Sequence, residues 1–143
     1  MPAAERPRGY SRMSTQLFVY GTLLRRSRHP MARLLAQRGH YVGPAKVAGR
    51  LYDLGRYPGM LESQDDADWV HGDLYDLGDG ADTLAQLDAY ELEESPLPAY
   101  FERQLGRAIL ADGSAIAAWI YWYRGKVNES QRIASGRYEN HLG

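Results

Sequence analysis

Residues Tyr100–Tyr123 read YFERQLGRAILADGSAIAAWIYWY, two long runs rich in aliphatic and aromatic residues on either side of Asp112-Gly113. Asp-Gly favours a two-residue hairpin turn, because the turns whose twist matches the strands need positive φ at the central positions. The pattern predicts antiparallel strands over Tyr100–Leu110 and Ala115–Tyr123. A chain that commits this much length to one hairpin is built on adjacent strands.

Working outward, the other elements are shorter. Leu17-Phe18-Val19-Tyr20 reads as a buried strand ended by Gly21. His29-Pro30 starts a helix, since proline suits the first helical position; Met31, Leu34, Leu35 and Arg38 mark its repeat and Gly39 stops it. From Tyr41 to Leu54 the sequence is β-like, interrupted at Gly43-Pro44, and Val47 to Tyr52 alternates as one strand that ends near Gly55. Tyr57-Pro58-Gly59 is expected to turn, and the acidic Gln64–Asp68 stretch to form a loop. Trp69–Leu77 alternates again, with Val70, Gly72 and Leu74 on one side and His71, Asp73 and Tyr75 on the other. A helix follows from about Gly80 to Tyr90. Strands outnumber helices and long strands are neighbours, which predicts an α+β fold with a mostly antiparallel sheet or small β-barrel flanked by helices. Residues 1–15 read as a flexible leader, with Met13 an alternative start, and residues 16–143 as a single domain.

Composition narrows the function. The 143 residues carry a formal charge of -1, with 24% charged and 44% hydrophobic residues, so neither disorder nor a basic nucleic-acid surface is favoured. Arg25, Arg26, Arg28, Arg33 and Arg38 crowd one segment, and Asp65, Asp66 and Asp68 another. Both clusters read as solvated faces, the basic one alternatively as a rim attracting an anionic substrate. The absence of Cys excludes a disulfide framework, a cysteine nucleophile and a thiolate metal site, and it fits a reducing cytoplasm. No apolar run approaches the roughly 18 residues needed to span a bilayer, and no secretory signal is apparent, so the chain reads as soluble and cytoplasmic. The four His are scattered, which predicts no metal, and P-loop, G-x-G-x-x-G and G-x-S-x-G signatures are absent. A small-molecule partner is expected, with no nucleic acid, membrane or cofactor; oligomeric state is not legible.

Two segments carry chemistry. Gly21, at the end of a strand, lets the chain turn sharply and leaves backbone N–H groups open to an oxygen, which suits a carboxylate or an oxyanion. A commonplace turn would look the same. Leu84, Leu87 and Glu91 are spaced three and four apart, so they share one helix face. If the helix reaches Glu91, desolvation and the helix C-terminus both raise its pKa, which fits a proton carrier near neutral pH. If it stops at Tyr90, Glu91 is solvated beside Glu93 and Glu94. Eleven tyrosines could wall a polar cavity, but which ones do so is not readable from pattern.

Several blocks occur in a telling order: Val19-Tyr20-Gly21-Thr22-Leu23, Gly49-Arg50-Leu51-Tyr52 with Tyr57-Pro58-Gly59, Val70-His71-Gly72-Asp73-Leu74-Tyr75, Leu87-Asp88-Ala89-Tyr90-Glu91, Glu102-Arg103 and Trp119-Ile120-Tyr121. In this the chain resembles a bacterial member of the γ-glutamyl cyclotransferase-like, or AIG2-like, family over roughly Leu17 to Tyr138. The resemblance implies a small mixed β-barrel with helices outside and an enzyme that releases 5-oxoproline from a γ-glutamyl amine without a cofactor. It implies Glu91 as general acid and base. Tyr20, Gly21, Thr22 and Leu23 would bind the glutamyl group through the backbone, with Tyr57 and Tyr121 as further substrate-binding residues. Two departures stand out: Phe101 occupies a position where relatives often carry Tyr, and Leu92–Pro98 resembles an insertion at the cavity rim. The group is functionally mixed, so a non-catalytic binding or stress-response module, or an enzyme acting on a different amide, is the alternative.

Overall fold

The computed structural model describes residues 16–21, 30–55, 58–65, 67–78, 83, 85–86 and 101–138. In chain order these form β1 (Gln16–Val19), α1 (Pro30–Arg38), β2 (His40–Ala48), β3 (Arg50–Asp53), β4 (Pro58–Leu61), β5 (Trp69–Asp76), β6 (Phe101–Leu110), β7 (Ala115–Tyr123) and a 3-10 turn at Glu129–Gln131. Five strands close a barrel in the order β1-β5-β2-β6-β7, and β3 and β4 make a separate two-stranded sheet. Every barrel pairing is antiparallel except the closing one, where β1 runs parallel to β7 through Leu17 and Trp119. The α+β, mixed and mostly antiparallel barrel is therefore the architecture. Among the described residues no helix is long and apolar enough to cross a membrane.

Period-2 alternation explains the core. Phe18, Tyr20, Val70, Leu74, Ala118, Ile120 and Trp122 point into the barrel, where the β3–β4 sheet adds Leu51 and Met60. The intervening Leu17, Val19, Tyr75, Tyr121 and Tyr123 pack outside it with Leu35 of α1. β1 and β7 are thus covered on both faces, which is why their sequences are nearly continuous apolar runs. On α1, Ala32 and Leu35 are buried while Arg33, Ala36, Gln37 and Arg38 are exposed, and the N–H of Gly39 donates to Leu35 O at the helix end.

Four details of the sequence reading change. The interruption at Gly43-Pro44 is a β-bulge: register with β5 shifts between Tyr41 and Gly43, the exposed Val42 is the extra residue, and β2 continues. Val47–Tyr52 is two strands in two sheets. The chain leaves the barrel at Gly49, where a Cβ would stand 2.7 Å from Leu61 O, so only glycine admits the crossing. Pro58-Gly59 is strand rather than turn: Pro58 pairs with Asp53 and Gly59 with Tyr52. The reversal comes earlier, where the Asp53 carboxylate accepts from Gly55 N–H and Gly55 takes φ +109. Finally, the β6–β7 loop has three residues. Leu110 and Ser114 close it, Gly113 sits at φ +89, and the Asp112 carboxylate takes the Ser114 N–H and hydroxyl, which lengthens the turn by one residue. The expected helix at Gly80–Tyr90 lies mostly outside the described residues, of which Thr83, Ala85 and Gln86 are helical. Residues 1–15 and 92–98 lie outside them too.

Candidate active site

The end of β1 is fixed before its glycine is reached. Leu17 to Tyr20 are all buried, and Tyr20 carries its hydroxyl across the barrel end, donating to Tyr121 O at 2.6 Å and accepting from Met60 N–H at 3.3 Å. One phenol thereby ties β1 to β7 and to β4. This commitment uses the Tyr20 hydroxyl as both donor and acceptor within the fold. Gly21 comes next, and a Cβ built on it would lie 2.7 Å from Pro58 Cγ and 3.0 Å from Pro58 Cδ. Glycine is required by this close approach of β4. Gly59 does the same on the far side, where a Cβ would meet Leu54 Cδ1 at 2.8 Å and Tyr123 Cβ at 2.9 Å. The start of β4 is therefore wedged between the exits of β1 and β7.

Of the residues singled out in the sequence, the structure brings Tyr20, Gly21 and Tyr121 together. Tyr121 is buried and contributes its carbonyl to the Tyr20 tie. Thr22, Leu23, Tyr57 and Glu91 lie outside the described residues. Pro58 was missed as a site neighbour because it sits in a turn-like tripeptide; its contact with Gly21 joins positions far apart in sequence. Tyr20→Phe removes the shared partner of Tyr121 O and Met60 N–H, and it is expected to destabilise the fold by about 1–3 kcal/mol, readable by urea unfolding. A variant as stable as wild type would show that the hydroxyl is not the tie.

A second polar centre lies at the start of β5. Asp68, only 7% exposed, accepts from Arg50 Nε at 2.5 Å, Arg132 Nη2 at 2.7 Å and Ser63 Oγ at 2.7 Å. Its membership of a solvated acidic face is thus overturned: the loop folds Asp68 inward because two guanidinium groups await it. The hydrogen bond from Arg50, then that from Ser63, holds its carboxyl down at about 2. A carboxylate depressed in the folded state stabilises above its unfolded pKa, and this contribution is lost as pH falls through the folded value. Wild-type stability should therefore drop between pH about 4 and about 2, and Asp68→Asn should flatten that part of a thermal-midpoint profile. Equal slopes for the two proteins would contradict this assignment. Among the described residues no three His, Asp or Glu side chains gather as a metal site would require.

The family model for gamma-glutamyl cyclotransferase, AIG2-like, matches residues 17–140. The chain belongs to this family. A Vibrio cholerae protein named "Putative gamma-glutamylcyclotransferase" is 34% identical over 124 residues, covering 86% of this chain and 90% of that protein. Among solved structures, YkqA from Bacillus subtilis superposes with a TM-score of 0.69 at 23% identity, over 90% of this chain but 40% of its own length. An AIG2-like protein from Mus musculus superposes with a TM-score of 0.63 at 21% identity, over 80% of each chain. At these identities the structural likeness concerns the fold. Within this AIG2-like gamma-glutamyl cyclotransferase fold, the Tyr20-Gly21 exit at the barrel end is the opening of the segment that the sequence resemblance assigned to the substrate.

Proposed function

We propose that the protein is a γ-glutamyl cyclotransferase that releases 5-oxoproline from a γ-glutamyl amine, as a single cytoplasmic domain with Glu91 as proton carrier. Family membership supports the reaction class. The observation that carries the site is the Tyr20 tie, which holds the strand exit at Gly21 against β4 and β7. Backbone N–H groups on so fixed a segment are suited to an oxyanion, since donors held in place need no reorganisation as charge develops.

Glu91 takes a proton from the α-ammonium of the substrate, and the freed amine attacks its own γ-carbonyl. A five-membered ring closes, the carbonyl oxygen becomes an oxyanion held by the amides of the Tyr20–Leu23 loop, and the bond to the leaving amine breaks. The protonated Glu91 returns its proton to that amine, and the ring nitrogen gives up its second proton through the same carboxylate, so the product is a neutral lactam and the amine departs as an ammonium ion. Nucleophile and electrophile belong to one molecule, so selecting the curled conformer supplies much of the rate, of order 7 kcal/mol for well-oriented groups. Tyr57 and Tyr121 complete the pocket in this reading.

The test is mass-spectrometric detection of 5-oxoproline after incubating the purified protein with glutathione, γ-glutamyl dipeptides and γ-glutamyl-lysine. Product from one of them establishes the reaction and names the amine. Absence of product from all of them, in a protein that still captures a γ-glutamyl compound by calorimetry, would replace catalysis with binding.

A further inference from the structure

The Asp68 cluster opens onto a cavity of about 140 Å³ that shares no lining residue with the Tyr20-Gly21 exit. Its walls include Arg50, Asp68, His71, Arg132 and the turn carrying Ala134 and Ser135. That turn is anchored from both sides: Ile133 N–H donates to Leu51 O, and Gly136 O accepts from His71 N–H. The cavity is therefore framed by β3, β5 and a strap of the C-terminal segment.

Asp68 cannot consume the donors around it. Arg132 reaches it through Nη2 alone, and Arg50 through Nε, with a further interaction to Tyr52. Among the described residues the remaining N–H groups of Arg132 donate to no protein acceptor, nor do the backbone N–H groups of Ala134 and Ser135. Both guanidinium groups are partly exposed, at 37% for Arg50 and 30% for Arg132, so solvent and small solutes reach them. Asp68 fixes one edge of each fork and leaves the rest of the fork presented. The surroundings are cationic as well: Lys46 faces His71 across the β2–β5 pairing, and Arg137 follows the turn. Burial, then the charges of Arg137 and Lys46, push the His71 imidazole down, so at neutral pH it is an uncharged ring that can donate one hydrogen bond.

We propose that this cavity binds a small oxyanion, a phosphate or a carboxylate, held by the forks of Arg132 and Arg50 and by the N–H groups of Ala134 and Ser135. The planar fork of arginine matches two oxygens at once, and one buried carboxylate between two arginines leaves a net positive site rather than a neutral one. The proposal stands apart from the cyclotransferase reading and survives or fails without it.

The experiment is an amide-shift titration of the full chain with inorganic phosphate, repeated with sodium acetate, against sodium chloride at matched ionic strength. The expected result is saturable movement of the His71, Ala134, Ser135 and Gly136 resonances with one or both oxyanions and not with chloride. Phosphate alone would name a phosphate site; acetate alone, a carboxylate site. Arg132→Gln should weaken binding at least about tenfold, the loss of a charge-assisted hydrogen bond. Arg132→Lys keeps a cation beside Asp68 but lacks the fork, and it should bind weaker than wild type with the rest of the spectrum unchanged. Shifts that rise linearly and equally with all three salts overturn the proposal, as does wild-type affinity in both variants.

Discussion

Glu91→Gln is expected to lower kcat for 5-oxoproline release by about 10²–10⁴-fold while leaving KM and the unfolding midpoint close to wild type. Glutamine has nearly the shape of glutamate and keeps a hydrogen-bonding oxygen, so a substrate held by loop amides should still bind. What it lacks is a group that can be protonated near neutral pH. In the proposed reaction the same carboxylate must accept the ammonium proton before ring closure and return it as the amine departs, so both steps fail together. An effect confined to kcat marks a group acting in the transition state; an equal rise in KM would instead mark a binding residue. Steady-state kinetics on the best amine from the substrate panel, with thermal unfolding alongside, separates the cases. Activity near that of wild type would remove Glu91 from the mechanism and leave the barrel-end loop without its proton carrier.

The fold was legible where periodicity is strong and local. Ala118, Ile120 and Trp122 alternate with Tyr121 and Tyr123, so β7 could be read from composition alone, although both of its faces turn out to be covered. The helix at Pro30–Arg38 was legible from its proline start and glycine stop. Errors gathered where a distant partner decides. Pro58 and Gly59 look like a turn in sequence, but β3 pairs with them and Gly21 and Tyr123 pack against them. Gly49 looks like one position in a continuous strand, but the approach of Leu61 splits that strand between two sheets. At the candidate site, motif order marked Tyr20 and Gly21, whereas the partners of the Tyr20 hydroxyl lie 101 and 40 positions away and carry no local signal. Asp68 was hidden for the same reason: its arginines come from β3 and from the chain after the 3-10 turn.

Gly72→Ala should be, with Gly136→Ala, one of the two most damaging single methyls among the described glycines. Gly72 was read as lying on one side of its strand with Val70 and Leu74, which gives no hint of why it lacks a side chain. In the structure a Cβ there would collide with the Val19 carbonyl oxygen and stand 3.0 Å from Phe18 Cζ. The first contact is with backbone, so no rotamer change relieves it. β1 would have to separate from β5, breaking the register that pairs Phe18 with Leu74 and Val19 with Asp73. Overpacking of this kind is expected to destabilise by about 3 kcal/mol or more, a fall of roughly 10 °C in thermal midpoint for a domain of this size. Gly113→Ala is the control, since nothing lies within 4 Å and only its φ of +89° resists the change. There the loss should be about 1–2 kcal/mol. The comparison bears on function because Val19 is the residue before Tyr20: a displaced β1 carries the hydroxyl tie and Gly21 with it. At temperatures where Gly72→Ala remains folded, its turnover should still be reduced, whereas folded Gly113→Ala should turn over like wild type. Equal midpoints for the two variants would mean that β1 and β5 can part without strain, and the fixed strand exit on which the proposed chemistry rests would have to be abandoned.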